Sequence, residues 1–212
     1  MKCFSINEIN TWERFYRANF LNSLSGFKPV SLISTINSDG VPNLAIFSNI
    51  VHIGADPALI GFINRPIEAA PHTLSNIRST GLYTINHVHP SFLSAAHQTS
   101  AKYAEGLSEF DEVGLTPEYK ENIAVPFVKE SHVQYSLELS EVIPLAVNNT
   151  FFVIGTLKNA FVDESIISTD GFLDLSKAGS MVSLGLDAYY NTSFEARYKY
   201  AKPGGESTKI II

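Results

Sequence analysis

The chain has 212 residues, 45% hydrophobic and only 17% charged, which suits one domain with a substantial core and excludes a largely disordered chain. Fifteen Lys and Arg against 21 Asp and Glu leave a net charge of -6, and no Lys/Arg-rich run interrupts it, so neither a nucleic acid nor an anionic membrane is an expected partner. No stretch nears the roughly 18 apolar residues of a membrane span, the opening MKCFSINEINTWERFYR is too charged for a secretory signal core, and the single Cys3 can form neither an internal disulfide nor a multi-thiolate metal site, so a cytoplasmic protein held by packing is expected.

Ser5-Ile6-Asn7-Glu8 has the form of a capping box, and Trp12, Phe15, Tyr16, Phe20 and Leu24 recur at helical spacing up to Gly26, which predicts an amphipathic helix over 7–25. The period then changes. Segments 30–37 and 43–49 are rich in β-branched and apolar residues and are joined through Ser38-Asp39-Gly40, a hairpin signal. Further strands are predicted at 58–63, 82–88 and 133–142, with 151–157 and 161–167 as another antiparallel pair, and a short helix over 73–80 ends at Gly81. Seven strand-like segments with few long helices predict a mainly β fold with some α, a closed or partly closed antiparallel barrel, because closure removes exposed sheet edges. Segment 89–126 has weaker periodicity and reads as an excursion of short helices and loops, long for an inert connector. Residues 1–202 are expected to form one domain. The remainder, PGGESTKIII over 203–212, reads as a tail or as a strand added to a partner subunit.

Dinucleotide-loop, phosphate-loop, nucleophile-elbow and zinc-protease motifs are all missing from the sequence. His87 and His89 share one face of a predicted strand, a spacing able to share a metal, but the sequence nominates no carboxylate beside them, and no metal is expected. Pro71-His72-Thr73-Leu74-Ser75-Asn76-Ile77 gathers hydroxyl, amide and imidazole groups at a predicted helix start, where free N–H groups favour an anion such as a phosphate. The plain alternative is an N-cap by Thr73. Phe47-Ser48-Asn49, at the end of the hairpin's return strand, offers small and amide groups suited to a flat heterocycle, or simply ends a strand.

Taken in order, these segments resemble the flavin reductase-like family with the FMN-binding split barrel, flavoredoxin-like members included. The resemblance rests on Lys28-Pro29-Val30, Ser34-Thr35, Asp39-Gly40, Asn43-Leu44-Ala45, Phe47-Ser48, Asp56-Pro57, Pro71-His72-Thr73 with Asn76-Ile77, and Thr84-Ile85-Asn86. Downstream it continues through Gly106-x-Ser108-Glu109-Phe110, Gly114-Leu115-Thr116, Glu130-Ser131, Ile154-Gly155 and Asp170-Gly171-Phe172-Leu173-Asp174, covering about residues 12–200. It implies a Greek-key-like split barrel with an N-terminal helix, assembled as a homodimer with one FMN per subunit held non-covalently near the interface. Phe47, Ser48 and Asn49 would then lie along the isoalloxazine ring, Thr73 and Asn76 would hold the phosphate, and Asn86 would lie close to the flavin.

The chain departs from the family pattern at Pro71, where the family has lysine, and at Lys28, where it has arginine. Arg65, His72 and Lys102 are the cations that could compensate. Many nicotinamide-using members carry a histidine just before the strand ending in Ile-Gly, where this chain has Thr150-Phe151-Phe152. The implied function is a flavin reductase-like oxidoreductase moving hydride or electrons through FMN, with NAD(P)H as a candidate donor and an unassigned redox partner or small-molecule acceptor. The alternative is a flavoredoxin-like electron carrier, or a flavin-binding protein with no nicotinamide site. No side-chain acid or base is required, and no catalytic residue is named.

Overall fold

The computed structural model describes residues 1–104 and 106–210; Glu105 of the expected excursion and Ile211 and Ile212 of the expected tail lie outside the described residues. Ser5 caps α1 (Ile6–Asn10), its hydroxyl accepting the Glu8 N–H at 3.1 Å, as the capping box predicts. The single helix expected over 7–25 is instead two. Thr11 turns its hydroxyl back onto the Glu8 carbonyl at 2.7 Å, and Glu13 opens α2 (Arg14–Leu24) by accepting the N–H groups of Phe15 and Tyr16 at 2.8 and 3.0 Å. The aromatic spacing therefore builds an edge-to-face cluster of Phe4, Trp12, Tyr16 and Phe20 across the break, and α2 itself has no buried residue.

The chain continues through β1 (Lys28–Pro29), β2 (Ser31–Ile36), β3 (Pro42–Phe47), β4 (Ile50–Ala55), β5 (Ala58–Asn64), α3 (Pro71–Thr80) and β6 (Leu82–His87). The excursion holds a 3-10 turn (Pro90–Phe92), α4 (Leu93–Gln98), α5 (Glu109–Val113), β7 (Pro117–Glu118) and β8 (Phe127–Val128). The long strands β9 (Val133–Leu145) and β10 (Thr150–Val162) follow, then β11 (Val182–Leu184), β12 (Ala188–Tyr190), β13 (Arg197–Tyr198) and β14 (Lys209–Ile210). Within the expected tail, Lys209–Ile210 pairs with Arg197–Tyr198 of the same chain.

Seven strands form one antiparallel sheet in the order β3-β2-β6-β9-β10-β5-β4. Its two edge strands, β3 and β4, are consecutive in the chain and separated only by Ser48 and Asn49. Two residues span less than about 11 Å, so the sheet must curl until its edges meet at that end while staying unpaired along their length. That is a split, partly closed barrel. The β2–β3 hairpin is organised less by Asp39 than by Asn37, whose Oδ1 accepts the Asp39 and Val41 N–H groups at 3.0 and 2.8 Å, with Gly40 supplying φ of 81°.

Two expectations are corrected. The run IVHIGA is strand β4, which sequence patterning passes over because a register shift between His52 and Gly54 breaks its alternation. Segments 151–157 and 161–167 are not a hairpin: β10 runs unbroken through Lys158 and Asn159, with register shifts at Ile154/Gly155 and Leu157/Asn159, and a 3-10 turn (Glu164–Ile166) follows it. The polar pair that imitates a turn sits at one of those bulges.

Inside the barrel, Ile33, Phe62, Tyr83, Ile85, Leu137 and Val153 pack with Leu74 and Ile77 of α3, which plugs the interior. The outer face of β2 and β3 buries Leu32 and Leu44 against Phe92, Ala96, Phe110 and Leu115, so the excursion is a cover for one half of the barrel. Gly155 is required by close packing: a Cβ there would overlap the Tyr83 hydroxyl and meet Leu137 Cβ at 3.1 Å. The Tyr83 hydroxyl is itself buried without a partner. Gly155→Ala is therefore expected to cost about 1–3 kcal/mol in denaturant unfolding, from overpacking, and Tyr83→Phe, which removes only the hydroxyl, to recover part of that cost in the double variant. Equal losses with and without the hydroxyl would show that the overlap is not the cause.

Candidate functional site

Helix α3 is carried to the barrel by the loop after β5. Its first residue, Pro71, has no N–H to waste and a φ suited to helix entry, and its N-cap, Ala70, contributes no side-chain hydrogen bond. Thr73 is thus not the N-cap; it sits in the first turn, buried and facing β3. The Asn43 amide approaches its hydroxyl at 3.4 Å, and Asn76, one turn on, donates to the Thr35 hydroxyl at 3.0 Å. Two polar pairs therefore set how α3 meets β2 and β3. They leave the N–H groups of His72 and Thr73 without an acceptor among the described residues. A helix start whose donors are neither capped nor paired is electropositive and suits an anion. His72 and Arg65 stand exposed beside it, in the first turn and the preceding loop. Asn64, fully buried at the end of β5, holds that loop by donating to the carbonyls of Arg65 and Ala70 at 2.8 and 3.4 Å.

The second cluster is the junction between the sheet's edges. The Phe47 ring turns inward onto Phe62, with centroids 5.0 Å apart, and the exposed Asn49 is committed at both ends of its amide, donating to the Ile63 carbonyl at 3.0 Å and accepting the Ile63 N–H at 3.3 Å. Of the three residues, only Ser48 keeps a side chain without an intrachain partner among the described residues. Phe47 and Asn49 shape this segment more than they offer groups to a ligand.

Asn86 is held by the chain itself. Fully buried in β6, it donates to the Leu32 carbonyl and the Thr84 hydroxyl at 3.2 and 3.1 Å and accepts the Val128 N–H at 3.0 Å, so both amide hydrogens are spent on tying β2, β6 and β8 together. Lys102 is exposed in the loop after α4 and makes no hydrogen bond or ion pair to α3 among the described residues. The Nδ1 atoms of His87 and His89 are engaged separately, bonding Ser180 and Ser91 at 2.9 and 2.8 Å.

Sequence reasoning missed Glu109. The excursion delivers this carboxylate to the edge of the sheet, where it accepts the Leu44 N–H of β3 at 2.8 Å. An edge N–H that no strand can pair is thereby satisfied. Burial pushes the Glu109 carboxyl above the usual carboxylate range, against the opposing pull of the Leu44 N–H and of nearby His72. The Glu109-Phe110 pair was visible in the sequence, but its contact lies 65 residues away, beyond any local period.

Residues 27–175 match the family model described as the flavin reductase like domain. The chain belongs to that family. A solved structure from Shewanella frigidimarina, a split-barrel protein provisionally named a flavin reductase, superposes with a TM-score of 0.91 at 48% identity, over 95% of this chain and 100% of its own. Flavoredoxin of Desulfovibrio vulgaris is similar at 25% identity and a TM-score of 0.70, over 81% of this chain and 90% of its own. Nitrilotriacetate monooxygenase component B from Bacillus cereus, at 23% identity and 0.82 over 93% and 99%, shares the fold. Membership in the flavin reductase like family implies a flavin cofactor and a flavin-related oxidoreductase role. The residues present fit a flavin's phosphate, since the start of α3 has free N–H donors, the Thr73 hydroxyl and two exposed side chains able to carry positive charge.

Because a buried acid with a raised folded-state pKa loses stability as pH climbs through that value, wild type should weaken relative to Glu109→Gln above the ordinary value of 4.5. Thermal unfolding should show the two alike at or below pH 4.5 and the glutamine variant higher at pH 7.5. Glu109→Ala should be lower at both, since it orphans the Leu44 N–H at a cost of about 1–3 kcal/mol. A difference between glutamine and wild type that ignores pH would refute the buried, raised carboxyl.

Proposed function

We propose that the protein is a cytoplasmic, homodimeric oxidoreductase that holds one FMN per subunit non-covalently, phosphate at the start of α3 and ring edge along Ser48. The uncapped start of α3 carries this reading. A terminal phosphate dianion on a chain of net charge -6 needs local donors, and the N–H groups of His72 and Thr73, the Thr73 hydroxyl, and the exposed His72 and Arg65 supply them. A monophosphate end suits this compact set, which favours FMN over FAD. Bound flavin supplies the hydride and electron chemistry. The chain binds and orients it: α3 fixes one end, and the Asn49–Ile63 latch holds the Ser48 segment for the other. No side-chain proton donor is needed at either place.

NAD(P)H is a candidate electron donor. A second reading, an electron carrier without its own nicotinamide site, is supported by one observation. Phe152 lies directly over Gly61 beside Ile53, so this part of β10 presents an apolar ring where nicotinamide-using relatives by resemblance carry a histidine.

Purified protein reconstituted with FMN should remain yellow after gel filtration and bind FMN at least tenfold more tightly than riboflavin, as expected when a phosphate contributes charge-assisted hydrogen bonds. Thr73→Ala should lower FMN affinity about three- to tenfold while sparing riboflavin, a ratio that a general loss of stability would not produce. Equal affinity for the two flavins would place the phosphate elsewhere. Anaerobic mixing with NADH or NADPH separates the two readings: rapid bleaching marks a nicotinamide-using enzyme, and an unchanged spectrum marks a carrier. Sedimentation should give twice the chain mass.

A further inference from the structure

A cavity of about 200 Å³ lies apart from the start of α3, between the end of β6 and the 175–182 segment. Its walls are mostly apolar, with Phe27, Val30, Leu175 and Met181 among them, and the imidazole of His87 borders it together with Ser180. We propose that this cavity binds a small, uncharged aromatic molecule bearing one polar substituent, which hydrogen-bonds Nε2 of His87.

Size comes first. An apolar cavity of about 150 Å³ holds benzene, so this one has room for a single six-membered ring and a substituent. Charge comes next. Lys28 also lines the space, but its ammonium is turned away onto the carbonyls of Asn22 and Gly26 at 3.0 and 3.4 Å, so it offers no counter-ion to a carboxylate. Burial lowers the His87 pKa to about 4, which leaves the ring neutral at pH 7. A charged ligand would lose its hydration here and gain no partner.

The imidazole is held in place for this use. The His87 carbonyl accepts the Ser131 hydroxyl at 2.8 Å, and its Nδ1 pairs with the Ser180 hydroxyl at 2.9 Å. With Nδ1 engaged, Nε2 makes no hydrogen bond to the chain among the described residues. It is a donor in one tautomer and an acceptor in the other, and a hydroxyl substituent satisfies either. In sheet register His87 pairs with Ser31, and Ser31 with Phe47. Two strand steps of roughly 4.8 Å put the His87 backbone about 10 Å from that of Phe47, and neither Phe47 nor Ser48 is among the residues lining the cavity. The inference does not rest on the flavin reading.

The test uses the full chain, with phenol as probe and toluene as its apolar match, binding being followed by ligand-observed NMR and by the ¹⁵N shifts of the His87 imidazole. Phenol should bind saturably, about three- to tenfold more tightly than toluene, and should move the His87 Nε2 resonance. His87→Leu should abolish the preference and His87→Gln should retain part of it. Thr192→Trp on the cavity wall gives up the Thr192 hydroxyl's bond to the Ser180 carbonyl at 3.2 Å and should weaken both probes, whereas Thr192→Val, which loses the same bond without filling the space, should leave both affinities close to wild type; this pair decides the matter if His87→Leu fails to fold. Absence of saturable phenol binding, equal affinity for the two probes, or indifference to Thr192→Trp overturns the proposal. So does displacement of phenol by FMN, which would merge this cavity with the flavin site.

Discussion

Ser48 and Asn49 impose the constraint from which the rest of the molecule follows. They join the two outermost strands of a seven-stranded sheet, so the sheet curls and its edges approach without pairing. Unpaired edges are costly and invite misassociation. The chain answers with side chains in place of a closing ladder. Asn49 clips the start of β4 to Ile63 with two bonds, and Glu109, brought in by the excursion, accepts the Leu44 N–H on β3. Each latch stands beside a proposed ligand contact, the first at Ser48 and the second close to His72. The barrel's split is where backbone and small polar groups stay free to meet a ligand, because the sheet does not consume them there.

The long excursion takes its meaning from the same geometry. It buries the outer face of β2 and β3 through Phe92, Phe110 and Leu115 and places Glu109 at the edge. A segment with weak periodicity can do this because its contacts run to the sheet, not along itself. Asn86 completes the attachment by fixing the Val128 backbone from inside β6. The buried amide of Asn86 is thus also a tie between cover and barrel.

Much of this was legible in the sequence where local chemistry decides the outcome. Ser5 as a cap, the β2–β3 hairpin and the end of α3 at Gly81 all follow from residues within four positions of one another, whereas α3 begins at Pro71, two residues before the expected start at Thr73. The barrel class followed from counting strands, although the seven counted are not the seven observed. The failures share a cause. Lys158-Asn159 reads as a turn until β9 pairs with the residues before and after it and reduces it to a bulge, and IVHIGA hides as a strand because its register shift breaks alternation. In the candidate site, helix physics alone nominates the start of α3 for an anion, and the structure leaves the His72 and Thr73 N–H groups there without an acceptor among the described residues. Which amides were free was invisible: Asn49, Asn76 and Asn86 are equivalent letters, and only their partners on distant strands show that each is spent differently.

Charge gives the last step. A chain of net charge -6 has no general attraction for a phosphate, and Pro71 stands at the start of α3 where the family resemblance leads one to expect a lysine. Proline forfeits a side-chain cation and fixes the helix entry, so the remaining donors point in a set direction. Glu109 lies close enough to His72 for the imidazole to act on its carboxyl, although burial has the larger effect on that acid. The acid that secures the sheet edge thus stands beside the helix start. On the proposed reading, the start of α3 would meet a phosphate with backbone N–H groups, the Thr73 hydroxyl and the exposed His72 and Arg65, in place of a single dedicated lysine.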